Sequence, residues 1–183
     1  AANGVPNYFG PQRFGRSGQN LQRAHDWFST GVAPSDRLQR GFALSAARSA
    51  LFNAVLAERV REGTWNRLIS GDLANLDGSG SIFRVETLDE TLQERCRTLD
   101  IHPSGPLWGK ASEAAGAVRE LEKRVAERYE VVAKGLTQEG MESERRALRA
   151  TVGALTWQID GSTVHLRFRL SKGCFATAVL HEI

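Results

Sequence analysis

Residues 152–159 and 163–170 alternate in polarity on either side of Asp160-Gly161, and this change of period constrains the chain more than any other feature. Asp-Gly between two such runs is a strong hairpin signal. In the second run Val164, Leu166, Phe168 and Leu170 fall on one face, and Thr163, His165, Arg167 and Arg169 fall on the other. A two-stranded hairpin with an apolar face is only marginally stable in water, so these strands need more sheet to rest on. Only about these two good strands are visible, and such an unpaired edge is what a fragment would leave. The chain does not begin with methionine, and its only methionine is Met141. Residue 1 is therefore not expected to be a natural start. A trimmed tag, a processed precursor and a piece of a longer protein all stay open.

Upstream, the periods are mostly helical. Ser17 is placed to cap a helix over residues 18–29. The spacing of Leu44, Leu51 and Val55, widened by Phe52 and Leu56, predicts a long, well-buried helix over residues 40–62, stopped by Gly63. Residues 66–88 read as short strands about the turn Asp77-Gly78-Ser79-Gly80, and no GK[ST] follows to make that turn a phosphate loop. Residues 103–109, PSGPLWG, read as a turn-rich loop. Residues 112–134 read as one amphipathic helix with Val118, Leu121, Val125 and Val132 inward, and residues 137–149 as a further short helix. No repeat of 20–50 residues and no low-complexity linker is present.

With 41% apolar and 25% charged residues, the 183-residue chain has a globular composition. No apolar run approaches the roughly 20 residues of a bilayer-spanning helix, so no membrane partner is expected. The first residues carry no leader pattern, and two cysteines, Cys96 and Cys174, suit a reduced, cytoplasmic setting. The net charge of +3 is unevenly spread: residues 1–25 carry +3, residues 26–144 carry −4 and residues 145–183 carry +4. If the two basic ends meet in space, they form a surface that attracts phosphates, with solvated surface as the plainer reading.

Chemistry-bearing patterns are few. His25, His102, His165 and His181 have no partners at metal-ligand spacing, so no metal site is expected. Cys174 with His165 or His181 imitates a thiol pair, but no activating third group is identifiable. The segment Tyr8 to Arg16 interleaves three aromatics with two arginines, a pattern suited to base stacking and phosphate contact, or equally to a loop plugging its aromatics into a core. The turn Ser171-Lys172-Gly173 leads into Cys174-Phe175-Ala176-Thr177. There a helix start would offer backbone N–H groups to an anion, with Phe175 either beside them or in the core.

Five segments together carry a resemblance. Val5-Pro6-Asn7-Tyr8-Phe9-Gly10-Pro11-Gln12-Arg13-Phe14-Gly15 resembles the NYFGxQRFG motif of the TruD family of tRNA pseudouridine synthases. Leu44-Ser45-Ala46-Ala47-Arg48-Ser49 with Phe52-Asn53 resembles that family's LSAARS–FN helix, Gly105-Pro106-Leu107-Trp108-Gly109 its GPLWG loop, and Glu144-Arg145-Arg146 its ERR segment. Gly173-Cys174-Phe175-Ala176-Thr177 through Leu180-His181-Glu182 is similar to its GSFAT–LRE ending. The motifs stand in family order along nearly the whole chain.

The resemblance implies an isomerase that turns a D-arm uridine of tRNA, at position thirteen, into pseudouridine, with an aspartate nucleophile and without cofactor. It implies that Phe175 lines the uridine pocket and takes over stacking from the flipped base. Asn7, Phe9 and Arg13 belong to the motif beside it. Arg16, Arg145, Arg146, Arg167, Arg169 and Lys172 are the candidates for RNA backbone contact. The family's G-x-K-D-[RK]-x-A segment with the nucleophile lies upstream of NYFG and has no counterpart among Asp26, Asp36, Asp72, Asp77, Asp89, Asp100 and Asp160; the upstream G-N-x-F segment is also missing. Lys172 and Cys174 stand where a proline–small pair and serine are common. The expected fold is α+β: a mostly helical TRUD-type insertion domain over residues 4–149, then residues 150–183 as the return into an incomplete pseudouridine-synthase catalytic sheet. The expected partners are tRNA and the amino-terminal catalytic half. The alternative is a non-catalytic RNA-binding module derived from the same family.

Overall fold

A computed structural model describes residues 3–111 and 113–182 of the chain. The chain enters through a two-residue strand β1 (Val5–Pro6) and two 3-10 turns, Pro11–Phe14 and Arg16–Gly18, then forms helix α1 (Gln19–Thr30). Ser17 has a positive φ of 53°, and the cap of α1 falls to Gly18 with no side-chain bond, so the expected serine cap is not made. Helix α2 (Arg37–Arg61) starts where the Asp36 carboxylate accepts from the Leu38 N–H at 2.8 Å. It ends before Gly63, whose φ of 65° suits a left-handed stop.

Strands β2 (Leu73–Leu76) and β3 (Ile82–Arg84) form the expected hairpin around residues 77–80. Helix α3 (Glu90–Arg97) leads to strand β4 (Ile101–Leu107), followed by helices α4 (Gly116–Arg128) and α5 (Glu130–Gln138). Strands β5 (Glu144–Ala147), β6 (Arg149–Ala150), β7 (Gly153–Asp160) and β8 (Thr163–Arg169) and helix α6 (Ala176–His181) complete the chain. A four-stranded antiparallel sheet has the order β3-β2-β4-β5, and β1 pairs with β6 through Val5 with Ala150 and Pro6 with Arg149. The fold is α+β.

Three elements differ from the sequence reading. The PSGPLWG loop is largely strand. Ile101–Pro103 pair with β2, while Ser104–Leu107 pair with β5. At Pro106 the strand is paired on one side only, where a missing N–H is tolerated. A Cβ on Gly105 would come within 2.8 Å of Leu148 and 3.2 Å of Phe52, so glycine lets β4 lie flat on α2. The helix expected over 112–134 begins at Gly116 and is broken at Tyr129 (φ −114°, ψ 39°); Ser112 lies outside the described residues. The break lets α5 fold back on α1, where a Cβ on Gly135 would meet the Phe28 ring at 2.1 Å. The helix expected over 137–149 is absent: α5 stops at Gln138, Gly140 turns the chain with φ 75°, and residues 144–147 extend beside β4.

Two apolar cores flank α2. Ala43, Ala47, Leu51 and Val55 pack against Trp27, Leu121, Val125 and Leu136 of the other helices, while Phe52 and Leu56 join Phe9 and Leu148 on the sheet side. Burying each of the valine, leucine and phenylalanine side chains contributes about 1.5–3 kcal/mol. The hairpin β7–β8 contrasts with this. Trp157 faces Leu166, and Ile159 faces Val164, yet Trp157 is 67% exposed, Ile159 60% and Val164 53%.

Candidate nucleic-acid interface

The segment Asn7–Gly15 is bolted to the two ends of the body. The Asn7 backbone N–H donates to Leu148 O at 2.8 Å and its side-chain amide donates to Ala147 O at 2.8 Å. Asn53 of α2 then treats Phe9 as a strand neighbour: its Oδ1 accepts from the Phe9 N–H at 2.9 Å, and its Nδ2 donates to Phe9 O at 3.0 Å. A Cβ on Gly10 would meet Thr177 Oγ1 at 2.4 Å, so this glycine lets the start of α6 close on the loop. Sequence separation of about 170 residues disappears, and the two basic ends of the chain meet.

Phe9, almost fully buried, is the hub of the cluster. Its ring is edge-on to Phe52 at 5.4 Å and to Phe175 at 5.6 Å. The Arg146 guanidinium lies 4.2 Å from the Phe9 centroid, and Arg13 lies 4.9 Å from it and 5.8 Å from Phe175. Such cation–aromatic contacts contribute about 0.5–2 kcal/mol each. Arg146 donates to Asn7 Oδ1 at 2.6 Å and to Gly173 O at 3.0 Å, while Arg13 donates to Ser45 Oγ at 2.9 Å. Among the described residues, no carboxylate pairs with Arg13 or Arg146, and the Nε of each is buried without a hydrogen-bond partner. Burial, aided by the nearby Arg13 charge and opposed by Cys174, pulls the Arg146 pKa down to about 10. Arg146 is therefore a cation at neutral pH in a half-dry site, and among the described residues neither it nor Arg13 has a carboxylate counter-charge.

Asn7, Phe9, Arg13, Phe175 and Arg146 thus form one cluster. Asn7, Arg146, Lys172, Cys174, Asp77 and His102 line an adjoining cavity of about 590 Å³. Lys172 is exposed at its rim. Arg16, Arg167 and Arg169 are exposed as well, Arg16 in the second 3-10 turn and the other two along β8. Arg145 is a correction. Its side chain is 4% exposed, it meets Glu122 at 2.8 Å with Glu122 2% exposed, and it donates to Ser104 O at 2.5 Å. A guanidinium so enclosed and neutralised is not available to an RNA backbone. Strand alternation puts Arg145 and Arg146 on opposite faces of β5, where a helix would have left both near one side.

Cys174 has its thiol pushed up by burial, so it stays protonated at neutral pH, against the behaviour of an activated nucleophile. Among the described residues, no group of three or more His, Cys, Asp and Glu is placed to hold a metal ion. No helix among them is long and apolar enough to cross a membrane.

The sequence reading missed the Asn53 clamp and a buried relay under the cavity. Arg149 donates from Nε to His102 Nδ1 at 3.0 Å, which fixes the proton on Nε2 for a 2.7 Å bond to Asp77. Burial first, then the Arg149 charge, keeps His102 neutral against the pull of Asp77. The relay holds the residue 77–80 turn over the cavity. A faint signal existed for Asn53, a polar residue one turn along from Ser49 in an otherwise apolar stretch of α2.

The family model for tRNA pseudouridine synthase D (TruD) matches residues 18–183. Curated tRNA pseudouridine synthases D from Nitrosococcus oceani, Psychrobacter arcticus and Pseudomonas syringae are 49%, 43% and 45% identical over 98%, 98% and 100% of this chain. The chain spans about half the length of these relatives, 51%, 50% and 52% respectively. A crystal structure from Methanosarcina mazei, described as a tRNA pseudouridine synthase D (TruD), superimposes with a TM-score of 0.72 at 20% identity, over 99% of this chain and 61% of that one, a likeness of fold. A family model matched along nine-tenths of the residues, with relatives this similar from end to end, leaves one conclusion: the chain belongs to the tRNA pseudouridine synthase D (TruD) family.

Proposed function

We propose that this chain is the carboxy-terminal half of a tRNA pseudouridine synthase that isomerises a D-arm uridine, uridine 13, and that it supplies tRNA grip and part of the uridine pocket. In that reaction the glycosidic bond breaks, the uracil rotates, and C5 bonds to the ribose. An aspartate from the amino-terminal half acts as nucleophile, in the cytoplasm and without a cofactor. The observation that carries the reading is the Phe9 cluster: two unpaired guanidiniums around edge-packed aromatic rings, with Phe175 half-exposed beside them. A flipped uridine loses a few kcal/mol of stacking and pairing, and an aromatic plane restores part of it. Unpaired cations beside that plane suit the phosphates that travel with the base.

Residues 4–149 form the insertion domain in this reading, and residues 150–183 rejoin the catalytic sheet. The exposed end of the hairpin supports that division, because Trp157, Ile159 and Val164 have a sheet's pattern without a sheet's partner. The experiment is Phe175→Ala in the enzyme completed by its amino-terminal half. Loss of one stacking contact of about 1–3 kcal/mol slows pseudouridine formation about 5- to 150-fold, while tRNA affinity falls much less. Equal losses in single-turnover rate and in Kd would remove the stacking role. A completed enzyme that binds tRNA and forms no pseudouridine would favour the non-catalytic module instead.

A further inference from the structure

Beside the Phe9 cluster, a groove of about 260 Å³ runs along the amino-terminal half of α2, lined by Phe9, Arg13, Gly41, Ser45, Arg48 and Met141 among others. Arg13 forms part of both the cluster and the groove. Two observations there have no structural explanation. The first is charge. The Nε groups of Arg13 and Arg48 are both buried without a hydrogen-bond partner. Arg48 spends one Nη on the carbonyls of Leu107 at 3.0 Å and Glu142 at 2.9 Å, and its only carboxylate among the described residues is Glu144 at 3.4 Å, itself 64% exposed. Arg13 has none among them.

The second observation is Gly41. It lies inside α2, where alanine is the better helix former and glycine weakens the helix. Its φ is not in the left-handed region, and a Cβ built on it meets nothing within 4 Å. Neither backbone conformation nor packing calls for glycine there. What remains is the close approach of something outside the chain to the helix backbone. Phe42, the next residue, is 51% exposed.

We infer that this groove is a second RNA contact, in which a phosphodiester of the tRNA strand lies against Gly41 and Ser45 between Arg13 and Arg48, next to the uridine pocket but outside it. The inference rests on tRNA being the substrate. The volume is below the roughly 300 Å³ at which small-molecule pockets begin, a scale that suits a phosphate with part of its sugar. Both arginines line the groove and give it positive charge, and the missing Cβ lets the strand reach the helix.

The test uses Gly41→Ala and Gly41→Glu in the completed enzyme, with an unmodified tRNA transcript as probe. Gly41→Ala raises Tm, because it improves the helix, yet weakens tRNA binding about fivefold; Gly41→Glu weakens it more than about twentyfold and reduces the slope of log affinity against log salt by about 0.7. A higher Tm with unchanged Kd and salt slope overturns the groove. If pseudouridine forms normally while both variants bind tRNA as the parent does, the groove fails and the proposed function stands. If the parent binds tRNA, forms no pseudouridine and the variants lose affinity, the groove stands and the enzymatic reading fails. Absence of tRNA binding by the parent removes both.

Discussion

Arg145 and Arg146 are neighbours on one strand and have opposite surroundings. On the inner side of β5, Arg145 is closed in with Glu122 and the Ser104 carbonyl. On the outer side, Arg146 lies on the Phe9 ring with only neutral acceptors, Asn7 Oδ1 and Gly173 O. A buried charge with its counter-ion belongs to the architecture, because removing either partner strands the other. A buried charge without one destabilises the protein until an anion arrives. The contrast therefore separates residues that hold the fold from residues that wait for a ligand, within one tripeptide.

The inner side gives the largest expected effect. Glu122→Gln leaves Arg145 buried and unpaired, and should lower unfolding free energy by about 3–5 kcal/mol in urea titrations, with the tRNA affinity of the remaining folded protein unchanged. A loss below about 1 kcal/mol would erase the distinction between the two arginines.

Arg146→Met tests the outer side and should reverse the pattern. It keeps the volume and removes the unpaired cation, so stability at pH 7 is equal or higher while tRNA affinity drops by about 1–2 kcal/mol. The pH dependence has a definite sign. The folded-state pKa of Arg146 is pulled down by burial to about 10, below the ordinary guanidinium value. Its burial therefore stabilises nothing at pH 7: the folded state is disfavoured by the full desolvation of the charge below pH 10, and that penalty is relieved as pH rises above 10 towards the ordinary guanidinium value. Denaturant midpoints of Arg146→Met and the parent should converge as pH passes 10. Divergence over the same range would mean that Arg146 is paired after all.

This comparison also marks what the sequence shows and what it hides. Helix α2, the hairpin β2–β3 and the hairpin β7–β8 are legible because local pattern decides them: an unbroken apolar stripe, the Asp77–Gly80 turn, Asp160-Gly161. The partners of Phe175 are legible only through motifs, since Asn7, Phe9 and Arg13 lie some 160 residues away from it. Long-range pairing defeats local reading. Ser104, Gly105 and Pro106 read as loop, and β5 makes them strand by supplying a neighbour some 40 residues on. Residues 144–147 fall in the stretch 137–149 that reads as helix, and pairing with β4 makes them strand. Nothing local distinguishes Arg145 from Arg146; Glu122, on another element, makes the difference. Gly41 is visible in the sequence as a misfit, but only empty space beside it turns the misfit into an argument.

The smallest effects belong to arginines that neither region encloses. Arg16, Arg167 and Arg169 are exposed, so each can be neutralised without changing what the fold must bury. Replacing Arg167 and Arg169 together by Ala should move unfolding free energy by no more than about 0.5 kcal/mol for each site. If the polar face of β8 follows the RNA backbone, each lost contact should lower the slope of log affinity against log salt by about 0.7–0.9, with equal effect on cognate and unrelated tRNA. The uniformity sharpens the contrast with Arg146, whose loss should affect the substrate tRNA more, because its guanidinium is held against the aromatic cluster and not free to follow any strand. An unchanged salt slope in the double variant would take β8 out of the RNA path and leave the grip to the face that carries Arg13 and Arg146.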